Sequence, residues 1–382
     1  MSLILDDHRK YLSDGVRLTC FRKAVREVVQ PGDIVVDLGS GTGVLGLYAC
    51  QAGAARVYSI DQGSILGIAQ QLCRANGFAD RVRFLKRSSL QVELPEKVDV
   101  VLADQMGPFG FEAGILEYFH DAHRRFLKPN GKLIPSGIEL WAAPVEIPEL
   151  YANVEFWNQR PANLDCAEVR SIAVNTGHTT TFEPKNLLSE PAKLAFLDLT
   201  TSTAAGFKAK SSHTITKSGQ MHGVGGWFSA QLSPGVRMTN SPVAVDRINR
   251  RNAFFPVDHP IEVASGDRVL VTMDIVPIED LVTWRVDVLR GGDSEPIVKV
   301  SFQQSTFKGM LLCQEDMRRS RPTFVPKLTS WGEARLSVLT LCDGQRPVAE
   351  IENELYRRHR SLFRSSAEAA TFVAEVVTRY SQ

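Results

Sequence analysis

A short glycine-rich segment carries the strongest chemical signal in the 382-residue sequence. It runs from Asp37 to Gly43, between a strand-like stretch and a helix-like one. Glycines at such a junction allow a tight turn and let a ligand approach the backbone closely. Asp61 ends the next strand-like stretch, about 20 residues further on, where an acidic side chain can accept hydrogen bonds from both hydroxyls of a ribose. The spacing therefore predicts a nucleoside site at the carboxyl ends of two neighbouring strands.

The spacing of the glycines indicates which class of ligand the loop binds. Dinucleotide-binding loops have the pattern GxGxxG, which places a pyrophosphate at the N-terminus of a helix. Here the glycines alternate as GxGxG, and Val44 follows the last of them. This loop therefore favours a ligand that contains an adenosine and an amino acid but no phosphates, and it argues against a nicotinamide cofactor.

The segment DLGSGTG resembles the first motif of the class I S-adenosylmethionine methyltransferases, and the strand that ends at Asp61 resembles their second motif. The likeness extends to the protein arginine methyltransferases over about residues 8–305, and it is specific over about the first 140 residues. The stretches that carry it follow that family's order: LSDGVRLTCFR, DLGSGTGVL, AGAARVYSID, VELPEKVDVVLAD, the pair Met106-Gly107, and FLKPNGKLIPSG. The resemblance implies S-adenosylmethionine as the cofactor.

By this resemblance, one group of residues would contact the cofactor. Arg17 would hold its methionine carboxylate, which suits the bidentate fork of a guanidinium. Gly39 and Gly41 would lie against it, and Asp61 would hold its ribose. Ser89 stands where that family has the first residue of a Val-Glu pair beside the adenine. The predicted set of cofactor-binding residues is Arg17, Asp37, Gly39, Gly41, Gly43, Leu45, Asp61, Gln62, Ser89 and Asp104.

The loop from Ala103 to Glu112 is the predicted acceptor site. The resembled family uses two glutamates in this loop to hold a guanidinium, whereas this chain has Asp104 and, one residue early, Glu112. Two carboxylates could bind a cationic acceptor and orient its nitrogen toward the methyl group, and one of them could take a proton. The resemblance therefore predicts Asp104 and Glu112 as the catalytic residues. The competing interpretation is that Asp104 caps the loop and Glu112 begins the next helix.

Two further features of that family are not found at their expected positions. Its N-terminal tyrosine-bearing helix would lie before His8, where only seven residues stand. Its Thr-His-Trp loop falls near Ile248-Asn249-Arg250, which has neither histidine nor tryptophan. Arginine methylation therefore does not follow from the resemblance. The open alternatives for the acceptor are another amine, an imidazole, an amide or a carboxylate.

The elements that must position these residues change in character along the chain. Residues 1–135 alternate strand-like and helix-like runs, which predicts a Rossmann-like parallel sheet covered by helices. Its last helix, GILEYFHDAHRRFLKPNG, is expected to end at the Pro-Asn-Gly turn. Residues 136–306 contain many short strands and one helical insertion, which predicts an antiparallel β-barrel domain. Residues 307–382 are predicted to be helical. The predicted fold class is thus α/β, with a Rossmann-like methyltransferase domain, a β-barrel domain and a small C-terminal winged-helix-like domain.

The winged-helix expectation comes from a second resemblance. Residues Trp331 to Tyr380 look like the small winged-helix domain of the pyrroloquinoline quinone peptide chaperone (PqqD), most specifically over LCDGQRPVAEI. That domain type is the recognition element of enzymes that modify ribosomally made peptides in RiPP biosynthesis. The resemblance implies that residues 307–382 capture a leader peptide as an added β-strand. The alternatives are a helical cap or a dimer contact.

The overall composition argues against several classes of function. The formal net charge is +1 and basic runs are short, so nucleic acid is not an expected partner. No apolar run is long enough to cross a bilayer, and no secretory signal is present. The six cysteines are scattered without zinc-binding spacing, so no metal is expected. We expect a cytoplasmic homodimer that associates through about residues 151–175, since the resembled enzymes dimerise through an arm.

These features favour an S-adenosylmethionine-dependent methyltransferase that acts on a side chain of a peptide or protein. The more specific expectation is a ribosomally made precursor peptide that the C-terminal domain captures. Two alternatives stay open at this point. One is a non-catalytic, methyltransferase-like scaffold that binds a peptide, and the other is a methyltransferase for a small molecule.

Overall fold

The computed structural model describes residues 4–203, 205–290, 297–311, 313–319 and 321–381. The chain divides into two compact units, Met1–Met310 and Leu311–Gln382. Each unit is described by itself. The first contains a parallel sheet with its helices and two antiparallel sheets, and the second is helical.

The first half of the large unit is a parallel sheet of five strands in the order β3-β2-β1-β4-β5. The strands pair in parallel throughout, as expected for strands joined by helical crossovers. The central strands are buried along almost their whole length, because helices cover the sheet. The elements are α1 Ile4–Ser13, α2 Gly15–Val28, β1 Ile34–Leu38, α3 Val44–Ala52, β2 Arg56–Ile60, α4 Leu66–Ala75, β3 Val82–Leu85, β4 Val98–Ala103, α5 Ile115–Arg125 and β5 Leu127–Ile134.

The predicted Pro-Asn-Gly turn after α5 is wrong. The helix ends at Arg125, and residues 127–134 form the edge strand β5. Leu127 pairs with Val98 and Lys132 pairs with Val100, so the intervening segment bulges out of the parallel ladder. The turn-forming residues thus interrupt a strand, and they do so at a sheet edge, where proline is tolerated.

The first residues that the structure describes form a helix, which the sequence patterns did not predict. Residues Ile4–Ser13 form α1, which carries Tyr11 and His8. Asp14 then caps α2 by accepting a hydrogen bond from the backbone N–H of Arg17 at 3.0 Å. Helix α1 therefore leads, through the cap Asp14, directly into the helix that carries Arg17.

The second half of the large unit contains two antiparallel sheets. One has the order β7-β12-β10-β6-β8, with β11 paired to β10, and the other has the order β15-β14-β13-β9. Their alternating burial fits the predicted antiparallel, barrel-like architecture. The elements are β6 Gly137–Val145, α6 Pro148–Glu155, α7 Ala167–Val174, β7 His178–Thr180, β8 Ala192–Asp198, β9 Phe207–Thr214, β10 Gly219–Ser233, β11 Val236–Thr239, β12 Asn252–Val263, β13 Arg268–Val276, β14 Leu281–Leu289 and β15 Val298–Ser305.

One hydrophobic core joins the parallel sheet to the antiparallel sheets. Phe109, which follows β4, is fully buried and packs on the backbone of β10 at Gly226. A Cβ at Gly226 would come within 2.8 Å of the Phe109 ring, so only glycine permits this contact. The loop after β4 is therefore anchored to the barrel-like half.

The small unit consists of α8 Gln314–Arg319, α9 Ser330–Leu341, α10 Val348–Arg358 and α11 Ser366–Tyr380. Ser365 caps α11 by accepting a hydrogen bond from the backbone N–H of Glu368. The residues that the structure describes in this unit form helices and no strand, so the winged-helix arrangement stays a prediction. Among the described helices of the whole chain, none combines the length and apolar character needed to span a membrane.

The core of the small unit gives a stability prediction. Leu355 is fully buried among α9, α10 and α11, and Leu355→Ala would leave a cavity there. We expect the substitution to destabilise this unit by about 2–5 kcal/mol, seen as faster amide hydrogen exchange in α9–α11 by mass spectrometry. Leu336→Ala, at a position 52% exposed on α9, is the control and should change stability by under about 0.5 kcal/mol. Equal exchange in both variants would contradict the assignment of this core.

Candidate functional site

The glycine loop after β1 adopts a backbone that only glycine adopts readily. Gly39, Gly41 and Gly43 have φ values of +60°, +55° and +75°, in the left-handed region that side chains disfavour. Gly43 directly precedes α3. The loop therefore turns sharply at the carboxyl end of β1 and leaves its backbone open to close approach.

Asp61 lies at the carboxyl end of β2 and holds this loop in place. One carboxylate oxygen accepts a hydrogen bond from the Gly41 N–H at 2.9 Å, and the other accepts one from the Gly63 N–H at 2.7 Å. The neighbouring cavity, of about 120 Å³, brings together four of the predicted cofactor residues. Its lining includes Gly39, Asp61, Gln62 and Ser89.

Two buried polar atoms beside the glycine loop have no hydrogen-bond partner among the described residues. They are Oδ1 of Asp37 and Oε1 of Gln105. The other carboxylate oxygen of Asp37 accepts from the Gly46 N–H at 2.9 Å, near the start of α3. Burial raises the pKa of Asp37 to about 7. The Gln105 side chain lies over Gly39, where any larger residue would collide with it. Unsatisfied buried atoms of this kind are typical of a ligand site.

Helix α1 covers the glycine loop from the other side. A Cβ at Gly41 would come within 2.7 Å of the His8 ring. The Tyr11 ring lies 5.0 Å from the guanidinium carbon of Arg17 and 6.0 Å from that of Arg250. The resemblance described under Sequence analysis did not identify His8 or Tyr11 as site residues. It placed the family's tyrosine-bearing helix before His8.

Asp104, directly after β4, is shared by two arginines. Arg17 pairs with it through Nε, and Arg250 approaches it with both terminal nitrogens at 3.2–3.3 Å. Only 5% of the Asp104 side chain is exposed. Burial would raise the pKa of Asp104, but the charges of Arg250 and Arg17 outweigh it and hold that pKa below its usual value. Asp104 is therefore an ionised group with its charge already neutralised.

Arg250 is a further residue that sequence reasoning missed at this site. Besides Asp104, it binds the carbonyl oxygen of Met106 through Nη1 at 2.7 Å. Arg250 lies in the segment that matches the Thr-His-Trp loop of the resembled family. A cationic residue at that position was the sequence signal that could have identified Arg250 as a site residue. The adjacent Asn249 N–H donates to Asp14 at 2.8 Å, so this loop is also tied to the cap of α2.

Glu112 lies in a different environment from Asp104. Its carboxylate accepts hydrogen bonds from the backbone N–H groups of Phe109, at 2.7 Å, and Phe111, at 3.0 Å. Burial raises its pKa. These contacts fit the competing interpretation, in which Glu112 has a local structural role, and its catalytic role stays a prediction.

The structure thus gathers the predicted residues in two groups. Arg17 and Asp104 pair directly, and Gln105 links them to the glycine loop, whereas Glu112 lines a separate cavity. Leu45 is buried in α3, behind the loop. Among the described residues, no group of three or more histidine, cysteine or acidic side chains is placed to hold a metal ion.

Two family descriptions match overlapping parts of the large unit. Residues 19–153 match the family of the ribosomal protein L11 methyltransferase. Residues 138–289 match the arginine methyltransferase oligomerization subdomain. The two matches overlap at residues 138–153, close to the transition from the parallel sheet to the antiparallel ones.

Curated relatives align with much of the chain. The chain is 27% identical to protein arginine N-methyltransferase 6 of Xenopus laevis over 295 residues, which cover 71% of this chain and 85% of the relative. It is 30% identical to a probable protein arginine N-methyltransferase 6 of Arabidopsis thaliana over 240 residues, covering 59% of this chain and 54% of the relative.

Solved structures show the same fold. Protein arginine methyltransferase 10 of Arabidopsis thaliana superposes with a TM-score of 0.68 at 21% identity, over 78% of this chain and 97% of that one. A Trypanosoma brucei PRMT1 enzyme-prozyme complex with AdoHcy gives a TM-score of 0.69 at 19% identity, again over 78% and 97%. From these matches and the glycine-loop cleft, we conclude that the chain is an S-adenosylmethionine-dependent methyltransferase similar to the protein arginine methyltransferases, with S-adenosylmethionine as its methyl donor.

Proposed function

We propose that this enzyme transfers a methyl group from S-adenosylmethionine to a side chain of a peptide or protein. The supporting observation is that the glycine-loop cleft and the loop after β4 meet at one point. Gln105 lies over Gly39, and the adjacent Asp104 pairs with Arg17. A donor in the cleft would therefore lie beside the loop that holds the acceptor. The test is transfer of isotope-labelled methyl groups to candidate peptides, with fragmentation in the mass spectrometer to locate them.

The residues around the cleft suit the parts of the donor. Among the described residues, no hydrogen-bond partner is found for Nη2 of Arg17, which leaves that nitrogen available to the donor's carboxylate. Asp61 would hold the ribose, with Gln62 and Ser89 beside the adenosine. The unpaired oxygens of Asp37 and Gln105 would gain polar partners. When bound, the donor supplies an electrophilic methyl group on a sulfonium.

The raised pKa of Asp37 predicts how donor binding depends on pH. An ionised Asp37 attracts the cationic donor, so the affinity should increase as the pH rises through about 7, where Asp37 loses its proton. Asp37→Asn should flatten this dependence in calorimetric titrations with the donor. Asp99→Asn is the matched control, because Asp99 lies on β4 and binds the Ile34 N–H and Lys128. Parallel pH profiles for the wild type and Asp37→Asn would refute this role.

The more specific proposal concerns the small unit. We propose that residues 307–382 bind the leader of a ribosomally made precursor peptide and so raise the local concentration of the acceptor. The support is the resemblance to the peptide-chaperone domain and the shape of α9. This helix buries Ala334, Val338 and Leu341, yet it exposes Leu336 and Leu339 on another side. An exposed apolar face beside a packed one is typical of an interaction surface.

Removal of the small unit tests this proposal. A chain that ends at Met310, the boundary of the large unit, should keep its affinity for S-adenosylmethionine and lose affinity for precursor peptides encoded beside the gene. Leu336→Glu in the full chain should have the same effect, because it places a charge on the exposed face of α9. Thr371→Glu, on the exposed side of α11, is the matched control. Unchanged peptide affinity in the truncated chain, measured by fluorescence anisotropy, would exclude capture by this unit.

We also propose that the chain forms a homodimer through the helical insertion in the barrel-like half. The insertion includes α6 and α7, and the segment between them exposes Phe156 (45%) and Leu164 (64%). The match to an oligomerization subdomain across the surrounding strands supports this proposal. Large exposed apolar side chains are typical of subunit contacts.

A charge at this position should weaken the association. We expect Leu164→Asp to shift the protein from dimer to monomer in sedimentation-velocity experiments, because an aspartate would have to lose its water at the contact. Ile278→Asp is the control, since Ile278 is 62% exposed and lies between β13 and β14. A wild-type protein that sediments as a monomer would contradict the proposed dimer.

A further inference from the structure

A cavity of about 440 Å³ opens beside the two arginines that share Asp104. It is formed by α1, the start of α2, the loop after β4 and the segment before β12. Four cationic side chains line it, and two acidic ones. The cationic residues are Lys10, Arg17, Arg250 and Arg251, and the acidic residues are Asp7 and Asp14.

The acidic residues of this cavity already have partners. Asp7 pairs with Lys10 at 3.1 Å. The two oxygens of Asp14 accept backbone hydrogen bonds, from Arg17 at 3.0 Å and from Asn249 at 2.8 Å. Both acidic residues of the cavity are thus already engaged by groups of this chain, which leaves neither of them unoccupied for a cationic substrate.

The predicted catalytic carboxylates do not line this cavity. Asp104 is buried where the guanidinium groups of Arg17 and Arg250 meet, and Glu112 lines a separate cavity. An incoming molecule would therefore meet the two guanidinium groups rather than the carboxylate that they share. Arg251 adds a further positive charge, and no described acidic residue forms an ion pair with it.

This charge arrangement disfavours a cationic acceptor. A substrate guanidinium or ammonium would bring a third cation to one carboxylate that two arginines already neutralise. Like charges in a partly desolvated site repel strongly, whereas an anion would be attracted. A carboxylate also matches the forked donor geometry of an arginine.

The proton balance of the reaction also favours an anionic acceptor over a cationic one. A guanidinium or ammonium acceptor must lose a proton before or during methylation, and a carboxylate acceptor has none to lose. The low pKa of Asp104 makes it a weak base. The oxygens of Glu112 are held by backbone amides. An acceptor that needs no base fits these residues better.

We infer that the acceptor is a carboxylate of the peptide, held by Arg250 and Arg251 and converted to a methyl ester. This inference rests on the proposed peptide methyltransferase function. A carboxylate oxygen of the acceptor attacks the methyl carbon of the donor sulfonium. The carbon–oxygen bond forms as the carbon–sulfur bond breaks, and the electron pair of that bond stays on sulfur. The products are a neutral ester and S-adenosylhomocysteine, and no proton moves.

The test uses the full-length enzyme, S-adenosylmethionine with a labelled methyl group, and short synthetic peptides that differ at one central position. That position is glutamate, glutamine, arginine or lysine, and both ends are blocked. A further glutamine peptide keeps its free C-terminal carboxylate, so a side-chain acceptor is distinguished from a terminal one. Methyl esters release labelled methanol in alkali, whereas methylated nitrogens keep their label. We expect alkali-labile label on the glutamate peptide or on the free-terminus peptide.

Two variants test the arginines. Arg251→Gln, at an exposed position without a described ion pair, should lower the affinity of the carboxylate peptide for the enzyme in the presence of S-adenosylhomocysteine. Arg250→Gln should lower it further, by at least about tenfold, and Arg250→Lys should restore part of it. Donor affinity and the melting temperature report whether each variant is folded. Arg268→Gln, on the exposed start of β13, is the matched control and should behave like the wild type.

The outcomes separate the two proposals. Alkali-stable label confined to the arginine or lysine peptide would overturn the carboxylate acceptor and leave the peptide methyltransferase function standing. An increase in methylation of the arginine peptide by Arg250→Gln would also overturn it, since Arg250 would then occupy the place of a substrate guanidinium. At saturating peptide concentrations, where no leader is needed to raise the local concentration of the acceptor, transfer to none of the peptides would count against both proposals.

Discussion

The carboxylate of Asp104, shared by two guanidinium groups, is the interaction on which the site depends. A buried carboxylate without a partner costs several kcal/mol, so it must be paired where it stands. Arg17 comes from α2, Asp104 from the end of β4, and Arg250 from the segment before β12. The ion pairs therefore fix the parallel sheet, its N-terminal helices and the barrel-like half in one arrangement. Loss of Asp104 would leave two buried guanidinium groups without their shared counter-charge.

This shared carboxylate also couples the donor side of the site to the acceptor side. Arg17 lines the acceptor cavity and pairs with Asp104, whose neighbour Gln105 lies over the glycine loop. Helix α1 contacts both sides, through His8 at Gly41 and through Tyr11 at the arginines. Donor binding should consequently alter the positions of the side chains that line the proposed acceptor cavity. Different residues line the two cavities, and the consecutive residues Asp104 and Gln105 connect them.

The donor side could be predicted from the sequence because its determinants are local. Gly39, Gly41 and Gly43 are glycines since the turn needs positive φ values, and this requirement is visible in the residue type itself. Asp61 follows a strand whose periodicity is equally visible. The parallel sheet and the antiparallel strands followed from the same patterns. Errors arose where context overrides a local signal, as at the Pro-Asn-Gly segment, which bulges within β5 rather than forming a turn.

The acceptor side could not be predicted because its determinants are distant along the chain. Arg250 and Asp104 are 146 residues apart, and Arg17 and Asp104 are 87 apart. No spacing rule relates such positions, so their pairing follows only from the tertiary fold. The sequence showed which residue types differ from the resembled family but not which of them would meet. Helix α1 was not predicted for the same reason. Its position depends on its contact with the glycine loop, where His8 lies against Gly41.

This chain differs most from the resembled family in the sign of the charge at this site. In the resembled family, two glutamates hold one guanidinium. Here two guanidinium groups hold one carboxylate, and the second acidic residue, Glu112, is bound to the amides of its own loop. The overall fold resembles that of these enzymes. Because transfer from a sulfonium requires mainly that the nucleophile be positioned, an inversion of charge changes which nucleophile is held without requiring a new donor site. The same architecture can thus serve a different acceptor through the exchange of a few side chains around Asp104.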